Sequence, residues 1–457
     1  MTENCDLLIV NGRVVDLDAV SLGTQVAVRD GTIVEVGDDT LRDRWQPRHV
    51  VDAHGGLVAP GFVDAHVHLS AYLGRALPYR RSVEPGVFAG AGRTAEIIPM
   101  IVQLCSMPVP PELTAAVLRP VMAAMLRSGI TGVVDAGSSG LDGLVTAATE
   151  TGIRIAIGPS LADTWHDPAG VIERRADTDA LLADASAWID RNDGAADGRV
   201  RSIVSAIEPI AASDELLAGI ARLAGAERPV HVHSHISPTS VADHIRHYQR
   251  TNTERLAAAG LLHPGCTLMH AATLTDADVT TFAATGVTVN YNPLGNAMLG
   301  FGLASGNALA RLQAAGVPIV LGSDYAPSMI ATPFDMIHAA LVVQRELAAN
   351  DAALTLEDAL AMTWNGGASL GQPGRLGRVA AGQLADLVII DTDGSHHLGV
   401  PHPAPALALR AISSDVRTVI VNGTVVVNNH QLLTIDEHDA ITQARAAFRE
   451  VAEHAPK

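Results

Sequence analysis

Between about Gly61 and Arg375 the chain repeats one unit: a short Val/Ile/Leu run, then an Ala- and Leu-rich stretch with helical spacing. That alternation constrains the fold more than any other feature. Parallel strands need a crossover of a dozen or more residues, and an outer helix supplies it. The runs 131–135, 154–157, 229–233, 267–270, 287–290 and 318–324 read as strands. The stretches 112–128, 214–226, 241–248 and 335–349 carry apolar residues three or four apart and read as helices. An α/β chain with this many units over residues 61–375 is expected to close into a (β/α)8 TIM barrel. A doubly wound sheet is the alternative, but no Gly-rich phosphate loop follows an early strand.

The two ends differ in style. Residues 1–60 read as short strands broken by the hairpin signals Asn11-Gly12 and Asp30-Gly31, and the same style returns around Asn422-Gly423. The expectation is a small β-sandwich domain built from 1–60 plus 376–435, followed by a C-terminal helix over 436–457. Residues 70–111, rich in Gly, Pro and Arg, read as a long loop over the strand ends. Arg75, Tyr79, Arg80 and Arg81 in it either meet a substrate anion or form a solvated charge run.

Composition narrows the functional classes. With 48% hydrophobic and 18% charged residues the chain is neither disordered nor fibrous. A net charge of −18 repels phosphate backbones and anionic lipid, and six Phe, five Tyr and four Trp offer little for base stacking. No nucleic-acid and no membrane partner is expected. Cys5, Cys105 and Cys266 are too widely spaced for a disulfide framework or a thiolate metal site, which fits a reducing cytoplasm. The acidic N-terminus and the lack of an apolar run of about 18 residues point the same way.

The chemistry lies in histidines at strand ends. His66 and His68 stand two apart on a strand pattern, so both imidazoles face one side. His231, His233 and His235 repeat that arrangement, His270 ends another strand and Asp324 a later one. Imidazoles plus one carboxylate are ordinary ligands for Zn²⁺ or Fe²⁺. Any one of these histidines alone reads as a satisfied core residue; the ordered set reads as a metal site.

These residues sit in the segments PGFVDAHVHL (60–69), SGITGVVD (128–135), Met269-His270, NPLGN (292–296), LGSD (321–324) and GRVAAGQLADL (377–387). Together the segments resemble the amidohydrolase superfamily, in its chlorohydrolase and aminohydrolase group of triazine hydrolases and cytosine deaminase-like enzymes. The resemblance implies metal ligation by His66, His68, His233 and Asp324, with His270 beside the activated water and Asp324 as its proton acceptor. It also implies one divalent ion, zinc ahead of iron. No lysine that would bridge two ions precedes His233, since the chain's only lysine is Lys457.

One position departs from the pattern. Deaminase-like relatives carry a glutamate three residues after the third histidine ligand, where this chain has Ile236. Either His235 or Glu208 replaces that acid, or the reaction does without it. Glu208 otherwise reads as facing solvent or pairing an arginine, and Tyr325 as locally packed. The missing acid favours hydrolysis of an amide, carbamate or urea-like C–N bond in a small molecule, because an acyl carbon needs charge stabilised at oxygen rather than a protonated ring nitrogen. The alternatives are deamination or dechlorination of an N-heterocycle, a two-metal hydrolase with Glu208 as bridging carboxylate, and a non-catalytic scaffold. A homo-oligomer is expected by analogy with the superfamily.

Overall fold

The structure, a computed structural model, describes residues 2–15, 24–76, 109–166, 172–299, 301, 307–324, 331–400 and 402–454. Tyr79, Arg80, Arg81, Cys105 and Tyr325 lie outside these residues, and so does the side chain of Arg75.

The central region is a succession of parallel strands: β1 (Phe62–Val67), β2 (Ile130–Ala136), β3 (Arg154–Gly158), β4 (Val200–Ser202), β5 (Val204–Ala206), β6 (Val230–Ser234), β7 (Cys266–His270), β8 (Thr288–Tyr291) and β9 (Ile319–Leu321). One parallel sheet runs β4-β3-β2-β1; the other runs from Ser160–Leu161 through β5-β6-β7-β8 to β9. The two meet at Ile203, where Ile203 N donates to Ile157 O and Val204 N to Pro229 O. They meet again where Val67 and Asp324 form a parallel bridge. Helices follow the strands where the sequence places them, over Pro111–Arg127, Asp214–Ala224, Pro238–Tyr248 and Pro333–Ala348.

Several helix starts are set by side-chain caps. Ser213, Ser237, Thr275 and Thr332 accept from a backbone N–H one turn on, which fixes where the chain leaves the strand end. The main core lies between strands and helices, while Val63, Ala65, Val134, Ala156, Ile203, Val320 and Leu370 form a separate small cluster. Among the described residues no helix is long and apolar enough to cross a membrane.

The chain ends build two further sheets. The first orders Thr32–Gly37, Gln25–Arg29, Glu3–Val10 and Trp45–Asp52; the second combines Arg13–Val14 and Leu57–Pro60 with Leu387–Ile390, Val416–Val421, Thr424–Asn428 and Gln431–Leu432. Leu7, Ile9, Val26 and Val28 of the first pack with Val58, Leu387, Ile389 and Ile420 of the second. A final helix spans Glu437–His454. The terminal region is tied to the central strands by a buried ion pair. Arg154, at the start of β3, donates from Nε to Asp386 Oδ2 at 2.8 Å and from Nη2 to Oδ1 at 2.9 Å.

Candidate active site

Strict alternation along β1 would not bring both His66 and His68 to the inner face. Val63 and Ala65 belong to the small inner cluster, yet Val67 belongs to the outer core with Phe62. The phase changes at a bulge: Asp64 pairs with Val133 and Val67 with Asp135, so β1 spends one residue more than β2 over that step. The extra residue re-aims the strand end and turns His66 and His68 inward. Asp64 anchors the distortion. Its buried carboxyl accepts from Ser323 N at 2.9 Å and Ser323 Oγ at 2.6 Å, and burial raises it to about 6.

Asp324 is held by backbone bonds to the same strand: its N–H donates to His66 O at 2.8 Å, and His68 N–H donates to its carbonyl at 3.2 Å. Its carboxyl Oδ1 lies 3.3 Å from His66 Nε2 and 3.6 Å from His68 Nε2. His233, at the end of β6, brings its Nε2 to 3.2 Å from His68 Nε2. His270, at the end of β7, stands with its ring 5.7 Å from His66 and 5.5 Å from His233. Asp324 and His270 both have positive φ, at 66° and 71°, a conformation that side chains other than glycine rarely adopt. Such backbone strain clusters at functional sites.

The donor set suits a divalent cation. Neighbouring donors on a tetrahedral zinc, with bonds of 2.0–2.1 Å, stand about 3.3 Å apart, and the separations found here match that spacing. Among the described residues neither ring nitrogen of His66 has a hydrogen-bond partner, although Nε2 is 3.3 Å from a carboxylate oxygen, and Asp324 Oδ2 is buried without one. Burial and the neighbouring imidazoles push His66 and His233 well below the ordinary histidine range. Both are therefore neutral at pH 7, the form that binds metal. Ligand atoms of His66, His68 and Asp324, and separately of His66, His233 and His270, lie within 4.8 Å of one another.

Helix Pro293–Leu299 supports this centre in a way the sequence did not reveal. His270 Nδ1 is 2.8 Å from Asn296 Oδ1, so Nδ1–H donates there and the Nε2 lone pair is left for the centre. Gly295 presses its backbone against the Asp324 carboxyl, where a Cβ would collide with Oδ2. The only advance sign was the segment 292–296, whose role no spacing rule gives.

Two expected acids are placed elsewhere. β6 ends at Ser234, and His235 takes a φ of 55°, which breaks the alternation that would have aligned it with His233. Its Nδ1 is 2.8 Å from Ser234 Oγ and its Nε2 is 3.2 Å from Thr253 Oγ1, while burial lowers it to about 4. His231 likewise leaves the cluster, with Nε2–H donating to Ser369 O at 3.2 Å. Glu208 does not face solvent, and among the described residues it pairs no arginine. It is buried, accepts from Ser240 Oγ at 2.9 Å, and lies outside both ligand groups.

Comparison with known proteins decides the family. The profile of the amidohydrolase family matches residues 57–426. The chain belongs to the amidohydrolase family.

This amidohydrolase is 27% identical over 446 residues to a 5-methylthioadenosine/S-adenosylhomocysteine deaminase of Acetivibrio thermocellus, covering 96% of each chain. It is 29% identical over 457 residues to a 5'-deoxyadenosine deaminase of Methanothermobacter thermautotrophicus, covering 98% of this chain and 99% of the relative. Its fold matches a zinc-bound adenosine deaminase from Xanthomonas campestris with a TM-score of 0.85, at 26% identity and with all of both chains covered. It also matches a zinc complex of atrazine chlorohydrolase from Arthrobacter aurescens, at a TM-score of 0.83 and 23% identity, over 97% of this chain and 100% of the other. The amidohydrolase is a metal-binding hydrolase acting on C–N bonds.

Proposed function

We propose that the chain hydrolyses an acyl-type C–N bond, in an amide, carbamate or urea-like small molecule, with one divalent ion held by His66, His68, His233 and Asp324. The contacts of 3.2 to 3.6 Å that link these four side chains, His66 and His68 each to Asp324 and His233 to His68, are the observation that carries the reading. In this reading residues 61–375 form a (β/α)8 barrel, supported by the junctions at Ile203 and at Val67–Asp324. Residues 1–60 and 376–435 form the β-sandwich, supported by their common core.

Zinc, ahead of iron, would supply Lewis acidity and lower the pKa of a water. The protein's own groups do the rest. Neutral imidazoles would leave most of the ion's charge in place, and Asp324 Oδ2, without a partner among the described residues, would take a water's proton and pass it to the leaving nitrogen. His270 Nε2 accepts a hydrogen bond from the same water and orients it. Acyl chemistry is favoured because Ile236 occupies the acid position and the substitutes are engaged elsewhere: His235 by Ser234 and Thr253, Glu208 by Ser240.

A second reading has one specific support. The full-length similarity to proteins named as adenosine-type deaminases favours hydrolytic deamination of an amino-substituted N-heterocycle. A screen over ureas, carbamates, anilides, aminopurines, aminopyrimidines and aminotriazines, followed by amine and ammonia release, separates the two. The acyl reading expects turnover in the first three classes, abolished about 10³-fold or more in Asp324→Asn. Turnover confined to the heterocycles would replace it with the second reading.

A further inference from the structure

Outside this centre, one cluster of ligating side chains has no place in the proposed reaction. The segment between strands Leu387–Ile390 and Val416–Val421 makes two short 3-10 turns, Ser395–His397 and Ser413–Asp415. The first presents adjacent histidines with ring centroids 4.4 Å apart. Both aim at one atom of the second turn: His396 Nε2 is 2.9 Å and His397 Nε2 is 3.1 Å from Asp415 Oδ2. We propose that His396, His397 and Asp415 form a second divalent-metal site, separate from the catalytic centre.

Two features suit a cation. Ile412 N–H also donates to Asp415 Oδ2, at 3.0 Å, so three nitrogens converge on a single carboxylate oxygen. The Ile412 bond fixes the Asp415 carboxylate, and both imidazole nitrogens face the same oxygen, the arrangement that donors around a shared ion take. The spacing of the two imidazole nitrogens from the carboxylate oxygen is close to the roughly 3.3 Å expected of neighbouring zinc ligands.

The local field is also suitable. Asp391 and Asp393 precede the histidines; Arg417, paired with Asp391 at 2.7 Å, and Arg13, which donates to Thr392 Oγ1 at 2.6 Å, offset part of their charge. His397 and Asp415 are nearly enclosed, while the His396 side chain is 36% exposed and opens the site on one side. Two imidazoles, one carboxylate and solvent positions form a set for Zn²⁺, Ni²⁺ or Cu²⁺ rather than for Ca²⁺ or Mg²⁺. An ion there pins one turn to the other at the base of strand Val416–Val421.

The test is equilibrium dialysis of the full-length holoenzyme against buffered free Zn²⁺, with bound metal counted per chain. The wild type is expected to take up one equivalent beyond the catalytic ion, and its thermal midpoint to rise with that uptake. In His396→Gln and Asp415→Asn the extra equivalent and the midpoint rise are both expected to vanish, with turnover unchanged. His396 is partly exposed, so its replacement leaves no cavity. A wild type that stops at the catalytic equivalent overturns the proposal. So does a His396→Gln enzyme that retains the extra ion, because the second metal would then lie elsewhere.

Discussion

Asn296 decides which lone pair His270 offers, and that makes it the residue to perturb first. It acts through His270 as a positioning residue, and loss of such partners typically costs 10- to 100-fold in activity or metal affinity. Asn296→Leu is therefore expected to lower kcat by about that factor with little change in KM. Asn296→Asp keeps the acceptor and is expected to restore most of it, since among the described residues Asn296 Nδ2 has no partner to lose. A kcat in Asn296→Leu equal to wild type would show that Asn296 does not set the ring. Glu208 gives a prediction of opposite character. Burial raises its carboxyl from the ordinary glutamate range to about 7, so the folded state holds its proton where the unfolded chain has lost it. The stability it contributes is full below the unfolded pKa of about 4.5 and is lost as pH rises through about 7. Against Glu208→Gln, which carries no titrating group, the wild type should lose thermal midpoint between about pH 5 and about pH 8. A constant gap across that range would mean that Glu208 is solvated. At this scale the gathering of His66, His68, His233 and Asp324 was legible because His-x-His and strand-end positions follow from a two-residue period. Asn296 and the Asp64–Ser323 bond were not, because a carboxyl or amide on one element carries no local mark of its partner on another.

The elements deliver these side chains through departures from regularity rather than through regular strands. The bulge in β1, the left-handed residues His235, His270 and Asp324, and the backbone contact at Gly295 each break a rule that sequence reading depends on. The placement of strands and helices was readable because buried β runs and helical spacing are long, redundant signals. The fate of His235 was not. A reading by alternation puts it beside His233, whereas a single residue at φ 55° sends it to Ser234 and Thr253. Helix Pro293–Leu299 shows how closely such a contact is set. Gly295→Ala places a methyl against Asp324 Oδ2, and either the helix or the carboxylate must move. A displacement of about 1 Å at a reacting group can cost about 10²-fold. Gly295→Ala is thus expected to lose kcat on that scale and to bind metal more weakly, while its far-UV spectrum stays native. Wild-type turnover in Gly295→Ala would mean that the carboxylate has room the structure does not show.

Across the whole molecule, the terminal sheets and the central strands are joined by polar contacts whose members lie hundreds of residues apart. Arg154 and Asp386 are both nearly enclosed, and Asn422 N–H donates to Asp386 Oδ1 at 2.8 Å, so one carboxylate links β3, the segment before Leu387–Ile390 and the turn at Asn422-Gly423. The sequence marked this place only as the segment 377–387, as a likeness without a mechanism. The energetics of buried pairs fix what to expect. Charges taken out of water are costly, so an intact pair contributes little net, but removing one partner strands the other, at a cost of about 3–5 kcal/mol. Arg154→Met leaves Asp386 buried beside an apolar side chain and is expected to lower the thermal midpoint strongly. The double variant Arg154→Met/Asp386→Leu, with neither charge, is expected to recover most of that loss. Because the pair lies at the start of β3 while the side chains of the proposed centre lie at strand ends, the double variant should keep near-native turnover at a temperature where it is folded. If instead it is as unstable as the single variant, Asn422 and the pair form a network whose polar bonds, rather than its stranded charge, hold the two parts of the molecule together.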